Sequence, residues 1–245
     1  MTAEAALLEL AGVSKRFGRI TVADSLSLRF QPGETVGIVG PNGAGKSTLF
    51  AMIAGDLKPD AGDVRFDGRS ALGLDSATRC RMGIARTYQV PRPFENMTVF
   101  ENLLVAAYGG GHLSRLQGYT MAARILEETG LSREANRPAG RLGLLQRKRL
   151  ELARGLATQP RILLLDEVAG GLTDPEVADL VEIVEQVRQR SVAIVWVEHV
   201  VHALTRAVSR IICLAGGRLI AEGDPQEVLA NPEVKEVYLG VDIDA

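Results

Sequence analysis

The chain has 245 residues, of which 46% are hydrophobic and 24% are charged, and its formal net charge is −2. This near-neutral balance offers no basic surface of the kind that binds nucleic acid, so we expect no nucleic-acid partner. No apolar run approaches the roughly 18–20 consecutive residues that are needed to cross a bilayer. A chain of this length can bury one large core, alone or with a smaller second lobe.

Two further features of the composition concern location. The first residues include acidic side chains and no basic segment, so we expect no signal peptide. Cys80 and Cys213 lie far apart in the sequence and lack the spacing of metal ligands. We therefore expect neither a disulfide nor a zinc site, as is typical of a reducing cytoplasm.

The first part of the chain is rich in predicted strands. Short apolar runs bounded by turn residues predict strands at Leu7–Leu10, Leu26–Phe30, Thr35–Val39, Val64–Phe66 and Ile84–Tyr88. A helix, Lys46–Ala54, is predicted shortly after the third of these strands.

The pattern becomes helical in the middle of the chain and returns to strands after it. Helical periodicity extends over residues 97–158, with interruptions at Gly109–Gly111 and Pro138–Gly140. A later helix is predicted at Pro175–Arg190. Apolar runs predict four more strands, Ile162–Leu165, Val192–Val197, Arg210–Leu214 and Arg218–Ala221. The sequence thus predicts a discontinuous α/β core, residues 1–89 and 159–245, with a helical insertion at about 90–158.

One motif lies between the third predicted strand and the helix after it. Its residues fit the phosphate-binding pattern G-x-x-x-x-G-K-[ST]: Gly40, Pro41, Asn42, Gly43, Ala44, Gly45, Lys46, Ser47 and Thr48. In this context, backbone N–H groups and the positive end of the helix dipole converge on phosphate oxygens. We expect the three glycines to permit close backbone approach, Lys46 to reach the outer phosphates and Ser47 to bind Mg²⁺. The motif predicts that the chain binds a nucleoside triphosphate.

Two adjacent acidic residues follow the strand predicted at Ile162–Leu165. A phosphate-binding loop of this kind needs a carboxylate at the end of a neighbouring strand to organise Mg²⁺ and its water, and Asp166 is the candidate. Glu167, one residue further, is placed to polarise an attacking water. The pair favours hydrolysis over transfer of the phosphoryl group to a bound acceptor.

Polar residues at two other strand ends are candidates to complete the site. Gln89 follows Ile84–Tyr88 and precedes the helical insertion, so it could contact Mg²⁺ or water and sense movement of that insertion. His199 follows the strand Val192–Val197, and His202, three residues later, is the weaker candidate. Position alone selects neither histidine, since a single His is more often a structural residue.

Together these motifs resemble the ATPase subunit of ABC transporters, and the match runs along essentially the whole chain. The resemblance implies that Gly40–Thr48 is the Walker A motif for ATP and that Ile162–Asp166 is the Walker B motif. It identifies Glu167 as the catalytic glutamate, Gln89 as the Q-loop residue and His199 as the switch histidine that contacts the γ-phosphate.

The resemblance also implies a fold and an adenine contact. Residues 1–245 are expected to form one ABC-type nucleotide-binding domain, a P-loop NTPase α/β core with a mostly parallel sheet flanked by helices. An antiparallel β subdomain and the helical subdomain are expected beside this core. Phe17, within Val13–Gly18, is similar to the aromatic residue that stacks on adenine in the family.

Within that family the chain looks similar to the ATPases of branched-chain amino-acid (hydrophobic amino-acid and amide) importers. The similar segments are Ile84–Gln89, Asn96–Ala106, Asp166–Leu172, Trp196–His199 and Glu236–Gly240. Because other subunits choose the substrate in such systems, the resemblance implies a class of transporter and leaves the solute open.

The chain departs from the family at two motifs. The signature motif, usually Leu-Ser-Gly-Gly-Gln, is present as Leu142, Gly143, Leu144, Leu145 and Gln146. Gly143 has no hydroxyl for the γ-phosphate held by the opposite subunit, and Leu145 puts a bulky side chain where the family has glycine. After the Walker B motif, Leu172-Thr173-Asp174-Pro175 replaces the order Leu-Asp-Pro, so Thr173 or Asp174 would take the role of the family's aspartate.

The resemblance implies partners and a working cycle. Two chains arranged head to tail would hold two ATP molecules, each between one phosphate loop and the partner's signature segment. The dimer would be either a homodimer or a heterodimer with a related ATPase. It would lie on the cytoplasmic face of the membrane, bound to integral membrane permease subunits through the region after Gln89, including Val90–Phe94. A solute-binding protein would take part indirectly.

Other functions remain open at this point. A soluble ABC-type ATPase that acts on DNA or ribosomes usually has two nucleotide domains or a long coiled-coil arm, whereas this chain has one phosphate loop. A GTPase would need an Asn-Lys-x-Asp motif, which is absent, and a kinase would need an acceptor pocket. The altered signature favours a third alternative, a nucleotide-gated subunit with weak hydrolysis. The direction of transport is also left open.

Overall fold

The computed structural model describes residues 6–199, 204–205 and 207–239 of the protein. In this part of the chain, two sheets are formed by β1 Leu8–Phe17, β2 Ile20–Phe30, β3 Thr35–Val39, β4 Ala61–Phe66, β5 Arg69–Ser70, β6 Ile84–Arg86, β7 Ile162–Asp166, β8 Ala193–Val197, β9 Arg210–Ala215 and β10 Arg218–Gly223. The helices are α1 Lys46–Ala54, α2 Ser76–Met82, α3 Val99–Gly109, α4 Arg115–Glu128, α5 Leu144–Ala157 and α6 Asp174–Arg188, with Pro225–Ala230 and Pro232–Leu239 after β10.

The larger sheet has six strands in the order β10-β9-β3-β8-β7-β6. The five strands from β9 to β6 run parallel, and β10 pairs with β9 in the antiparallel direction. All residues of β3, β7 and β8 are buried, as expected for parallel strands covered on both faces. The predicted α/β fold with a mostly parallel sheet is confirmed, and the carboxyl ends of β3, β6, β7 and β8 share one edge.

Alternate residues of the parallel strands belong to two different hydrophobic cores. In β7, Leu163 and Leu165 pack into the core that includes α3–α6, whereas Ile162 and Leu164 face the core built from α1 and the smaller sheet. This alternation follows from the two-residue period of a strand. The sheet therefore holds the strand ends rigidly between two packed layers.

The smaller sheet is antiparallel, in the order β2-β1-β4-β5. Its first two strands are longer than the predicted Leu7–Leu10 and Leu26–Phe30. Register shifts occur between Leu10 and Lys15 on β1, and they interrupt the alternation from which a strand is recognised.

Like the two helices after β10, Pro225–Ala230 and Pro232–Leu239, helix α2 was not predicted from the periodicity. Its signals are local, because the Asp75 side chain accepts a hydrogen bond from the backbone N–H of Thr78 and Gly83 ends the helix in a left-handed conformation. The strand predicted at Ile84–Tyr88 ends earlier, at Arg86, although the N–H of Thr87 still donates to the Leu164 carbonyl.

Helices α3, α4 and α5 lie between β6 and β7 in the chain and pack on one another. Thr98 and Glu101 form a capping box at the start of α3, and Ser114 and Gln117 form one at the start of α4. Helix α5 also packs against β6 and β7, so the helix that begins at Leu144 reaches the edge of the parallel sheet.

Candidate functional site: a phosphate loop and three strand ends

The phosphate loop connects β3 to α1. Gly45 is the N-cap of α1, with φ of 97°, and no side chain caps the helix. A Cβ at Gly40 would overlap the Leu214 carbonyl oxygen, and a Cβ at Gly45 would overlap that of Val22, so both positions require glycine. The first N–H groups of α1 are consequently left for an anion.

Lys46, the first residue of α1, is only 5% exposed. Its ammonium donates hydrogen bonds to the Gly40 and Pro41 carbonyls at 2.8 and 3.0 Å, which occupy two of its three hydrogens. Burial lowers the pKa of Lys46, and the nearby Glu167 and Asp166 carboxylates act in the opposite direction. A phosphate oxygen at the loop would add a further charge-assisted bond to this ammonium.

A cavity of about 290 Å³ adjoins the loop. Residues 42–48 line it on one side, together with Val22 from the β1–β2 hairpin and Glu167 from the end of β7. The cavity thus joins the predicted phosphate site to the predicted general base. The lining residues do not include Leu142–Gln146 of the same chain.

Phe17 lies at the turn of the same hairpin. It pairs with Ile20 across the turn and is 50% exposed, and its ring centroid is 5.7 Å from the Lys15 ammonium. The ring therefore has an open face on the hairpin that supplies Val22 to the cavity. Stacking of adenine on Phe17 stays a prediction.

Glu167 is held between the two other predicted catalytic residues. Its Oε2 accepts a hydrogen bond from Gln89 Nε2, and its Oε1 lies 3.0 Å from His199 Nε2. The backbone N–H of Glu167 donates to the Val197 carbonyl at 2.9 Å. The ends of β6, β7 and β8 thus bring together three residues that the sequence separates widely, and His202 lies outside the described residues.

Glu167 also has an unusual backbone conformation, with φ of 48°. A non-glycine residue in this left-handed region carries a cost of roughly 1–2 kcal/mol. Its carbonyl accepts hydrogen bonds from the N–H of Gly170 at 3.2 Å and from Lys148 Nζ at 3.1 Å. The surrounding contacts therefore hold the residue in a conformation that it would not adopt by preference.

Asp166, the last residue of β7, is 3% exposed. Its Oδ2 accepts a hydrogen bond of 2.8 Å from Arg86, which also pairs with Asp56. Its Oδ1 is buried and has no hydrogen-bond partner among the described residues. A buried carboxylate oxygen of this kind is suited to accept a bond from a ligand or a water molecule.

Ser47, in the first turn of α1, has an exposed side chain. The described residues contain no group of three or more His, Cys, Asp or Glu side chains that could hold a metal by themselves. Any metal at this site would therefore depend on oxygens from a bound ligand as well, as is usual for Mg²⁺.

Two charged residues of the site received no role from the sequence. Lys148 on α5 donates from its ammonium to the Gln89 carbonyl at 2.7 Å as well as to that of Glu167. Glu198 accepts hydrogen bonds from the N–H groups of Ala169 at 2.6 Å and His199 at 3.2 Å. The sequence carried a signal for both residues. Glu198 directly follows the apolar strand β8, and Lys148 occupies a buried position of α5.

The pKa of Glu198 is raised by burial, and the three donors that bond to it act against this rise. Trp196 Nε1, at 3.3 Å, is the third of these donors. The carboxyl thus connects the strand end before His199 to the turn after Glu167.

The signature segment begins helix α5. Gly143 is its N-cap without a side-chain hydrogen bond, and Leu144 is 47% exposed in the first turn. Arg147 stabilises the segment by donating hydrogen bonds to the Gly140 and Leu142 carbonyls. The start of α5 therefore presents backbone N–H groups and an exposed leucine side chain.

The second departure, at Thr173 and Asp174, lies at the start of α6. Thr173 is the N-cap, and its N–H and hydroxyl both donate to the Glu176 carboxylate at 2.8 Å. Asp174 is exposed in the first turn. The structure thus gives Thr173 a capping role, and the roles of both residues toward a partner stay predictions.

Comparison with known proteins gives a consistent result. The family model of the ABC transporter matches residues 23–170, and that of the branched-chain amino acid ATP-binding cassette transporter matches residues 218–244. The high-affinity branched-chain amino acid transport ATP-binding protein BraF of Pseudomonas aeruginosa is 36% identical, over 96% of this chain and 98% of BraF.

Two solved structures extend the comparison. The ADP conformation of MJ1267, an ATP-binding cassette of an ABC transporter, superposes with a TM-score of 0.86 at 31% identity, over 97% of this chain and 100% of that one. The ATP-binding cassette MJ0796, in a dimeric post-hydrolysis state bound to ADP and Pi, superposes with a TM-score of 0.80 at 26% identity, over 89% of this chain and 98% of that one.

No helix in the described residues is long and apolar enough to cross a membrane. The ABC transporter family model, the similarity to BraF over nearly its whole length and the cavity between the phosphate loop and Glu167 all indicate the same family. The chain belongs to the ATP-binding cassette family, as an ATP-binding ATPase subunit homologous to those of branched-chain amino acid transporters.

Proposed function

We propose that the chain hydrolyses ATP to power uptake of branched-chain amino acids or related small amides through a membrane permease. One observation carries the hydrolytic part of this proposal, which is the position of Glu167 between Gln89 and His199 at the cavity of the phosphate loop. The match of residues 218–244 and the name of BraF support the class of solute.

Binding of the nucleotide begins at the phosphate loop. The N–H groups of the loop and of the first turn of α1 face the phosphates, and Lys46 adds its charge to the outer ones. The exposed ring of Phe17 stacks on the adenine. Residues 40–48 supply most of the binding free energy, because the phosphates carry most of the ligand's charge.

Mg²⁺ accompanies the nucleotide in this proposal. Ser47, Gln89 and Asp166 would hold it, and the unpartnered Oδ1 of Asp166 is the observation that fits. When bound, Mg²⁺ neutralises the negative charge of the phosphate oxygens. Among the described residues no group of three or more His, Cys, Asp or Glu side chains could hold the metal alone, so phosphate oxygens of the nucleotide would complete its coordination.

Glu167 acts as the general base. Its carboxylate takes a proton from water as the water oxygen bonds to the γ-phosphorus, and the bond to the leaving oxygen of ADP breaks. Gln89 and His199 fix the two carboxylate oxygens, which restricts the directions in which Glu167 can accept that proton. The products are ADP and phosphate.

Two chains cooperate in each site. We infer that the start of α5, at Leu142, Gly143 and Gln146, faces the γ-phosphate bound by a partner chain. The uncapped N–H groups of α5 suit this role, and the dimeric state of MJ0796 supports the arrangement. ATP favours the closed dimer because it contacts both chains only when they meet.

A cleft beside Gln89 is the proposed docking site of the permease. Its volume is about 330 Å³, and Arg86, Tyr88 and Arg154 line it between α2 and the helices α3 and α5. The neighbouring side chains of Val90 and Phe94 are 70% and 45% exposed. Docking there would place the chain on the cytoplasmic face of the membrane and connect the permease to Gln89, with a solute-binding protein acting on the far side.

Uptake of labelled leucine, isoleucine and valine tests this function. Cells that lack the gene should regain uptake with the wild-type chain and fail to do so with Lys46→Ala, whose phosphate contact is removed. Integral membrane proteins recovered with the wild-type chain should include the permease. Restored growth without any change in uptake of these amino acids would contradict the proposed solute class.

The altered signature segment supports a second function, a nucleotide-gated subunit with weak hydrolysis. Gly143 offers no hydroxyl to the opposite nucleotide, whereas Glu167 keeps its contacts with Gln89 and His199. ATP turnover of the purified chain, alone and with its membrane partners, separates the two functions. Turnover that stays near zero in the complete complex favours the gated subunit.

A further inference from the structure

Lys148 is a buried cation with an uncommon set of partners. Lys148 is only 3% exposed. Burial lowers the pKa of its ammonium, and four nearby carboxylates act in the opposite direction. Among the described residues, it forms no ion pair, and its hydrogen bonds go to two main-chain carbonyls. A buried charge is expensive, so its retention at this position calls for a function.

The two carbonyls belong to Gln89 and Glu167, whose side chains are joined by a hydrogen bond. Lys148 therefore holds the main chain of both members of that pair from a third element, α5. Bonds from an ammonium to carbonyl oxygens are charge-assisted and stronger than neutral ones. The left-handed backbone of Glu167 depends on such contacts, since that conformation is unfavourable without them.

Other side chains of α5 hold the main chain on both sides of Gln89. Glu151 accepts from the N–H groups of Tyr88 at 3.4 Å and Arg92 at 3.3 Å, and Arg154 donates to the Arg92 carbonyl at 2.7 Å. Lys148 alone among these three also reaches Glu167. It lies one turn from Leu144, where the same helix begins.

We propose that Lys148 is a positioning residue for hydrolysis, which fixes the main chain of Glu167 and Gln89 from α5 and makes their geometry depend on where that helix docks. The inference rests on the proposed role of Glu167 as the general base. A displacement of α5, driven from its N-terminal end by a partner or from the cleft by the permease, would move the Lys148 ammonium and with it both carbonyls.

The test compares ATP turnover and ATP affinity in four variants of the full chain. Lys148→Met keeps the length of the side chain and removes the donor, so turnover should fall at least about 10-fold, as for other lost positioning contacts. ATP affinity should stay within about twofold, because the phosphate loop is untouched. Lys148→Arg restores the donor and should recover most of the turnover.

Arg149→Met is the matched control, because Arg149 is the next cation of α5 and bonds to Asp179 on α6 instead of to the site. It should retain turnover within about twofold. Glu167→Gln separates the two proposals, since it should abolish turnover whatever Lys148 does.

Three results would overturn the role of Lys148. The first is full turnover in Lys148→Met while Glu167→Gln is inactive. The second is a loss of turnover in Lys148→Met that is matched by an equal loss of ATP affinity. The third is a loss of turnover in Arg149→Met as large as that in Lys148→Met. Turnover that persists in Glu167→Gln would instead contradict the proposed base, and the two failures are therefore distinguishable.

Discussion

The phosphate loop and the signature segment are both helix N-termini, and they differ in what surrounds the exposed N–H groups. Each helix has a glycine N-cap without a side-chain hydrogen bond, Gly45 for α1 and Gly143 for α5. The first two residues of α1 are Lys46 and Ser47, whereas the first two residues of α5 are Leu144 and Leu145. In our proposal both helix starts meet phosphate oxygens, and the side chains around each start decide how strongly it binds them.

The residues proposed for hydrolysis and the segment proposed to face a partner differ in the same way. Gln89, Glu167 and His199 form a connected cluster at the cavity of their own phosphate loop. The segment Leu142–Gln146 lacks the hydroxyl that the family uses across the dimer. A dimer with a related ATPase would therefore contain two unequal nucleotide sites.

The largest expected effect on stability comes from the phosphate loop. Gly45→Ala places a Cβ on the Val22 carbonyl oxygen at a φ of 97°, and no side-chain rotation relieves this overlap. We expect the free energy of unfolding to fall by at least about 2 kcal/mol and ATP binding to be lost. Urea unfolding and nucleotide titration measure both.

Gly43→Ala is the matched control for that substitution. Gly43 also has a positive φ, of 81°, but a Cβ there would meet no atom within 4 Å. In the absence of nucleotide, Gly43→Ala should lower the free energy of unfolding by about 1 kcal/mol, from backbone strain alone. Equal destabilisation by the two alanines would show that the close approach to Val22 does not constrain the loop.

A smaller effect is expected at the signature segment. Gly143→Ser adds the missing hydroxyl, and the added Cβ would lie 2.8 Å from Gln146 Oε1, which is the flexible end of a side chain and can move away. A new hydrogen bond to the opposite nucleotide is worth about 1 kcal/mol, so ATP-dependent dimerisation should tighten about fivefold. Light scattering of the Glu167→Gln form, with and without Gly143→Ser, measures this change.

A control for this gain is Gly143→Ala, which adds the Cβ without the hydroxyl. If the alanine tightens the dimer as much as the serine does, the benefit comes from the helix N-terminus or the backbone and not from a hydroxyl contact. The contrast drawn between the two helix ends would then be wrong.

The smallest expected effect concerns Glu198 and pH. Burial raises the pKa of Glu198 above its unfolded value of about 4.5, so the folded state keeps this proton longer than the unfolded state does. Its contribution to stability is complete below the unfolded pKa and is lost as pH rises through the folded pKa. Glu198→Gln should therefore gain stability relative to wild type as pH increases from about 4.5.

Urea unfolding of both proteins between pH 4 and pH 8 measures that difference. Glu182→Gln, at an exposed glutamate, is the matched control for the loss of one carboxylate. A stability difference between wild type and Glu198→Gln that is constant across this range would contradict the assigned pKa shift.

Much of the fold and the site was predictable because the signals are local. The phosphate loop requires particular residues at fixed spacing, and the carboxyl ends of parallel strands share one edge, so Gln89, Glu167 and His199 were expected near one another. The α/β architecture followed from the buried runs of β3, β7 and β8.

The remaining features depend on packing between distant segments. The hydrogen bonds of Lys148 exist only because α5 docks on the sheet edge, and sequence spacing contains no information on that contact. The bulges in β1 mask its alternation, so the predicted strand was too short. The burial of Glu198 likewise depends on the turn at Ala169, about 30 residues earlier in the chain.

ATP turnover and ATP binding by Glu167→Gln, measured beside the wild-type chain, test whether Glu167 is the general base. An amide cannot accept the water proton as a carboxylate does, while the phosphate loop and Lys46 remain unchanged. We predict that turnover falls at least about 1,000-fold and that the dissociation constant for ATP stays within about threefold. Turnover near the wild-type rate in Glu167→Gln would contradict the assignment of Glu167 as the base.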